Sequence, residues 1–196
     1  MNAAELSGTL VLVIGPSGSG KGSIMQHVHD TFPNLVYPVS CTSRSMRPGE
    51  IDGVNYHYIS REAFEEKVRN NEFLEWTEYG GNLYGTLTKS VTGPMQSGKV
   101  VVHEIEIQGA LAFLEKLPRE KLVIVFIDAG DWNVLQKRIL KRCEMNETEL
   151  ALRKERYEEE VKFSDQYADV VIENKDGKLE EARKTMEEVI RGLLKQ

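Results

Sequence analysis

A chain of 196 residues is long enough to bury one proper core, and it matches the size of a single domain better than that of two. Its 31 acidic against 25 basic residues leave a formal charge of −6, which speaks against a general nucleic-acid or membrane-surface binder. Any anionic ligand must therefore be met by a local basic pocket. The two cysteines, Cys41 and Cys143, lack metal-ligand spacing and read as free thiols of a reducing compartment.

In chain order, the polar start Met1–Thr9 leads into the apolar run Leu10–Ile14, too brief for a signal-peptide core or a membrane span, so a cytoplasmic protein is expected. Thr9–Ile14 reads as a buried strand and residues 21–31 as the helix that follows it. A short run at Val36–Cys41 reads as a further strand. From about Arg44 to Thr88 the alternation breaks: Tyr56–Ile59 and Phe73–Glu78 look like short strands around one amphipathic helix, Arg61–Asn70, which together form an inserted lobe. Strands then follow at Val100–Ile105, Leu122–Ile127 and Asp169–Ile172, with helices at 107–117, 131–143, 147–163 and 178–195. The expected fold is α/β, with a five-stranded parallel core sheet and right-handed crossovers. By charge pattern alone, the run Lys137–Lys162 reads as a solvated helical face held by i,i+4 pairs.

Gly15-Pro16-Ser17-Gly18-Ser19-Gly20-Lys21 lies between a predicted strand and a predicted helix, the context in which G-x-x-x-x-G-K forms a phosphate loop. Glycines let successive backbone N–H groups converge on phosphate oxygens, the helix N-terminus favours negative charge, and the lysine neutralises the outer phosphates. Gly22 stands where a Ser or Thr hydroxyl normally ligates Mg²⁺, and the first hydroxyl comes at Ser23. Gly-Lys-Gly-Ser resembles the loop of adenylate kinases. Mg²⁺ is then expected to be held mainly by ATP phosphates and water, with no protein ligand assigned and Ser23 touching phosphate.

The inserted lobe carries the segment Val39-Ser40-Cys41-Thr42-Ser43-Arg44-Ser45-Met46-Arg47-Pro48-Gly49-Glu50, then Asp52-Gly53 and Tyr56. Further on come Asn71-Glu72-Phe73-Leu74-Glu75-Trp76, Gly81-Asn82-Leu83-Tyr84-Gly85-Thr86 and Glu106-Ile107-Gln108-Gly109. Together these resemble the guanylate kinase family over nearly the whole chain, from Val11 to about Asn174. The resemblance implies a P-loop kinase that moves the ATP γ-phosphoryl group to GMP with Mg²⁺, dGMP being left open as a second acceptor. By it, Arg44, Arg47, Tyr56 and Tyr84 bind the GMP phosphate, and Ser40, Glu75, Thr86 and Glu106 face the guanine. Arg138, Arg142 and Arg153 belong to a lid that closes over ATP, and Asn174 contacts adenine through its backbone. Lys21, Arg44 and the three lid arginines are the expected catalytic groups. The implied organisation is one domain: a core at about 8–38, 88–132 and 164–196, a small α+β GMP-binding lobe at about 39–87, and a helical lid at about 133–163.

The residue chemistry agrees independently. Arginines and phenolic hydroxyls are donors suited to a doubly charged phosphate, and a carboxylate such as Glu75 accepts from the adjacent N1–H and N2 amine of guanine, a donor pair adenine lacks. A hydroxyl at Ser40 can donate to O6. Two departures from the family stand out. Glu104-Ile105-Glu106 replaces a pattern ending in Asp, and Gly93-Pro94 falls where relatives carry a continuous helix, so that helix is expected to break or restart there. Two alternatives stay open: a non-catalytic guanylate-kinase-like interaction module, and a P-loop kinase for another nucleotide.

Overall fold

The computed structural model describes residues 5–141 and 145–195. Its elements in chain order are β1 (Thr9–Ile14), α1 (Lys21–Thr31), β2 (Cys41–Thr42), β3 (His57–Tyr58), α2 (Arg61–Arg69), β4 (Phe73–Tyr79), β5 (Asn82–Leu87) and α3 (Thr88–Gln96). They continue with β6 (Val100–Glu104), α4 (Ile107–Lys116), β7 (Leu122–Asp128), α5 (Trp132–Leu140), α6 (Glu147–Tyr167), β8 (Val170–Glu173) and α7 (Leu179–Leu193). Contacts divide the chain into two compact units. One holds the N-terminal stretch up to Leu10, Val36–His103 and Gln108–Leu122; the other holds Val11–Leu35, Glu104–Ile107 and the chain from Val123 onward.

The core sheet has four strands in the order β6-β1-β7-β8, not the five expected. The missing member is Val36–Cys41. Val36 makes a single parallel bridge to Val101, with its N–H on the Val100 carbonyl at 3.3 Å and its own carbonyl accepting from Val102 at 2.9 Å. Two residues later Pro38 has no N–H to continue the ladder, and Cys41–Thr42 joins a different sheet as β2. At the other edge, β7 and β8 pair in parallel, Val125 opposite Val170 and Asp128 opposite Glu173.

In the second unit α7 shows Ala182, Met186 and Ile190 buried at a spacing of four, the stripe that an amphipathic helix turns toward its core. Asp131 caps α5 by accepting from the N–H groups of Asn133 and Val134, and Asn146 caps α6 by accepting from Glu149. Along α6 the buried residues are Phe163 and Ser164, so most of this charged helix is solvated, and Trp132 at the start of α5 lies 5.8 Å from the Tyr157 ring. Among the described residues, no helix is long and apolar enough to cross a membrane.

The first unit holds a second sheet in the order β3-β2-β5-β4. Phe64 of α2 stacks on Phe73 of β4 with ring centres 4.3 Å apart, and Cys41 and Leu83 complete that small core. Cys41 is a buried free thiol; Cys143 lies outside the described residues. β4 and β5 form a hairpin closed by Gly80-Gly81, both at positive φ as a tight two-residue turn requires. Its register sets Glu75 directly opposite Thr86, while the neighbouring Trp76 is 49% exposed.

The helix expected to break at Gly93-Pro94 does not: α3 runs from Thr88 through Pro94 to Gln96. Proline costs this helix one bond, the N–H that residue 94 would give to the Ser90 carbonyl, and the helix ends two residues later. Glycine before it has no Cβ to clash with the proline ring. The end then closes on the Pro94 carbonyl, which accepts from Ser97 and Lys99.

Candidate active site

The turn from β1 into α1 brings Gly15–Gly20 into a loop at the head of a helix whose N-cap is Gly20, at φ 92°. A side chain there would meet the Asn174 amide, for a Cβ on Gly20 would approach Nδ2 to 2.2 Å. With no capping side chain, the first N–H groups of α1 remain for a ligand anion. Lys21 folds back so that Nζ donates to the carbonyls of Gly15 and Pro16. Asn174, at the end of β8, donates from Nδ2 to the Ser19 carbonyl at 2.6 Å and buttresses the loop from behind. Pro16, Ser17, Gly18, Gly20, Lys21, Gly22 and Ser23 line a cavity of about 390 Å³, together with Glu104 at the end of β6.

Two of the three expected lid arginines lie within reach of this loop, and Arg142 falls outside the described residues. Arg153 of α6 donates to Ser17 Oγ at 2.8 Å. Arg138 of α5 donates to the Asn174 carbonyl at 2.9 Å and to Asp176 at 2.8 Å, an ion pair that lowers the Asp176 pKa. Glu160 of α6 is half-buried, and its pKa is pushed up to about 7 by burial, Lys21 opposing the shift and the Glu106 charge adding to it. The unfolded chain releases this proton near 4.5 and the folded chain near 7, so the fold holds more protons between these values and stability falls as pH rises through the window. Glu160→Gln is accordingly expected to be more stable than wild type above the window, on the order of 1–2 kcal/mol, with the difference vanishing toward its lower end. Urea midpoints at the two ends test this, and a variant less stable than wild type at the high end contradicts it.

In the first unit, the loop between β2 and β3 holds Arg44 against Glu50 by two bonds, NH2 to Oε1 at 2.8 Å and NH1 to Oε2 at 3.0 Å. Oε2 also accepts from the Arg47 N–H at 2.7 Å and from the Tyr58 hydroxyl at 2.8 Å. With Arg44 as the largest contributor, these donors pull the Glu50 pKa down to about 2, and the Arg44 pKa is raised in turn. The Arg44 guanidinium lies 5.6 Å from the Tyr56 ring centre, and Tyr56 meets Tyr84 edge-on at 5.8 Å. Three of the four expected phosphate donors are thus gathered in one place, while Arg47 is exposed and tied in through its backbone N–H.

The expected guanine residues Ser40, Glu75 and Thr86 meet around one buried hydroxyl. Thr86 Oγ1 donates to Glu75 Oε1 at 2.6 Å and lies 3.2 Å from Ser40 Oγ and 3.2 Å from His103 Nε2. Burial raises the Glu75 pKa against the hydrogen bonds from Thr86, and burial lowers that of His103 to about 4. Glu106 is exposed and belongs to the second unit with the phosphate loop, where it acts on Glu160. Sequence reasoning gave no role to Glu50, Tyr58, His103 or Glu104. Glu50 stood in the quoted signature, and a signal for it was available: a carboxylate three residues after Arg47 and six after Arg44.

A glycine loop joining a buried strand to a helix in an α/β sheet, with its lysine folded over it, defines the protein as a P-loop nucleotide-binding protein. Known proteins narrow the class. A family model described as guanylate kinase matches residues 7–193. A guanylate kinase of Nostoc sp. is 41% identical over 171 residues, 87% of this chain and 84% of the relative. One from Rubrobacter xylanophilus is 39% identical over 187 residues, 95% of each chain. The crystal structure of guanylate kinase from Anaplasma phagocytophilum superposes with a TM-score of 0.68 at 26% identity, covering 94% of this chain and 85% of that one. The chain belongs to the guanylate kinase family.

Proposed function

We propose that the chain catalyses reversible, Mg²⁺-dependent transfer of the ATP γ-phosphoryl group to GMP, giving ADP and GDP, in the cytoplasm. The observation that carries the acceptor half is the half-buried carboxylate Glu75, held by Thr86, which also meets Ser40, in the same unit as the Arg44, Tyr56 and Tyr84 group. Glu75 accepts from N1–H and N2 of the base and Ser40 donates to O6. Arg44, Arg47 and the two tyrosines take the phosphate. ATP phosphates enter the loop of Gly15–Ser23, where the Lys21 ammonium exchanges its neutral carbonyl acceptors for a phosphate oxygen.

A phosphate monoester is mostly dianionic at neutral pH, its second pKa being about 6, so its oxygen attacks without a general base. The residues have two tasks: to align two anions and to neutralise the charge spread between them as the phosphoryl group passes. Lys21, Arg138, Arg142 and Arg153 serve the second task, Arg138 by leaving Asn174 and Asp176 for phosphate and Arg153 by leaving Ser17. The Glu104 carboxylate and Ser23 hydroxyl beside the loop offer oxygens that would hold Mg²⁺, either directly or by accepting hydrogen bonds from its waters. Bound with ATP, the ion supplies charge neutralisation between the phosphates.

A panel of acceptors with labelled ATP tests the function: GMP should be phosphorylated and AMP, CMP and UMP poorly so. Equal turnover of AMP and GMP contradicts the guanine assignment, and a folded protein inert toward every acceptor indicates an interaction module. The loop offers a further check. A Cβ at Gly22 would meet nothing within 4 Å, so Gly22→Ser should fold with an unchanged melting temperature and need the same Mg²⁺ concentration as wild type, or less. A Mg²⁺ titration showing a raised requirement in the stable variant counts against this account.

A further inference from the structure

One buried titratable group has no part in the mechanism above. His103 of β6 is 8% exposed, yet its Nε2 lies 3.2 Å from Thr86 Oγ1. A threonine hydroxyl has one hydrogen and two lone pairs. The hydrogen goes to Glu75 Oε1, because a carboxylate accepts and does not donate. Ser40 Oγ and His103 Nε2 therefore face the two lone pairs, and each must be a donor toward them. Burial keeps the imidazole neutral at neutral pH, so the ring is a single tautomer with its proton on Nε2.

We propose that His103 is a positioning residue for guanine recognition, its Nε2–H holding the Thr86 hydroxyl toward Glu75 so that Ser40 can turn its own hydrogen to the base. The proposal rests on GMP being the acceptor. In the free protein three partners saturate Thr86. When Ser40 turns to O6, Thr86 still gives one hydrogen bond and receives one, so no fully buried oxygen is stripped of its donors. Glu75 Oε1 stays tied in both states, which fixes the carboxylate plane and aims its remaining lone pairs at N1–H and N2. With an apolar residue at 103, releasing Ser40 would leave Thr86 with no donor, and its hydrogen could follow Ser40 instead of Glu75. The loss would then fall on acceptor binding and on the reading of the N2 amine, not on the chemical step.

Steady-state kinetics of the full chain with GMP, and with IMP, whose base lacks the N2 amine, test this in wild type, His103→Leu and His103→Gln. Phosphorylation of GMP by wild type tests the proposed function by itself. His103→Leu should raise KM for GMP about tenfold and narrow the GMP to IMP ratio, with kcat and KM for ATP moving less than about twofold. His103→Gln, whose amide N–H can reach the same oxygen, should recover most of the loss. An active wild type whose leucine variant keeps its KM for GMP overturns the proposal, and so does a glutamine variant displaced as far as leucine. Nitrogen-15 NMR of histidine-labelled wild type needs no variant to fold: a proton on Nε2 is the expected result, and a proton on Nδ1 refutes the arrangement.

Discussion

Glu75→Gln is expected to lower kcat/KM for GMP by about 30- to 1000-fold, a transition-state loss on the order of 2–4 kcal/mol, while KM for ATP stays put. The amide replaces one acceptor oxygen with a donor, so a base that presents N1–H and N2–H side by side meets a like group instead of a carboxylate. Stability should change little, because the amide oxygen can still accept from Thr86 Oγ1, now 2.6 Å from the carboxylate. Acceptor kinetics beside a thermal melt separate the two effects. An unchanged GMP efficiency in a folded variant would mean that the carboxylate serves the fold, through Thr86, and not the base.

Lys21→Met should cut kcat about 10³-fold, equivalent to about 4 kcal/mol of transition-state stabilisation, and leave GMP affinity close to wild type. The methionine keeps the aliphatic stem but carries no charge. What it lacks is the ammonium that rests on the Gly15 and Pro16 carbonyls, held where outer phosphate oxygens would enter the loop. Loss of a neutral hydrogen bond to these carbonyls alone would destabilise the loop without a large effect on the chemical step. Single-turnover rates with GMP affinity measured by calorimetry decide the matter: a variant within about tenfold of wild-type kcat excludes Lys21 from charge neutralisation.

The elements most legible in the sequence were those set by uninterrupted apolar runs and single caps. β1 and α1 fall at the expected residues, and β6, β7 and β8 lie within about a residue of their expected bounds. Pairing partners were not legible. Val36–Cys41 has the apolar character of a strand, but Pro38 divides it between a one-residue bridge and the second sheet. β5 escaped notice although Gly80-Gly81 marks a hairpin, because Gly85 dilutes the alternation expected of a strand. In the site, Ser40, Glu75 and Thr86 came from the family pattern, whereas His103 reads in the sequence as one more residue of a buried strand. Its role depends on the packing that brings Thr86, a residue of the other sheet, to its ring nitrogen, a long-range property no local window contains. Glu50 was hidden differently: a carboxylate among residues expected to bind phosphate looks misplaced until it is seen to hold Arg44 in position.

The chain contains two tryptophans, and the fold gives one to each compact unit. Trp76 follows Glu75 on β4, where strand alternation turns it to solvent on the side away from the carboxylate; Trp132 opens α5 against Tyr157. Each indole is thus an optical reporter native to its own half of the molecule. Replacing either by phenylalanine leaves a single emitter, so nucleotide arrival at the acceptor unit and at the phosphate-loop unit can be timed separately in one protein without an attached dye.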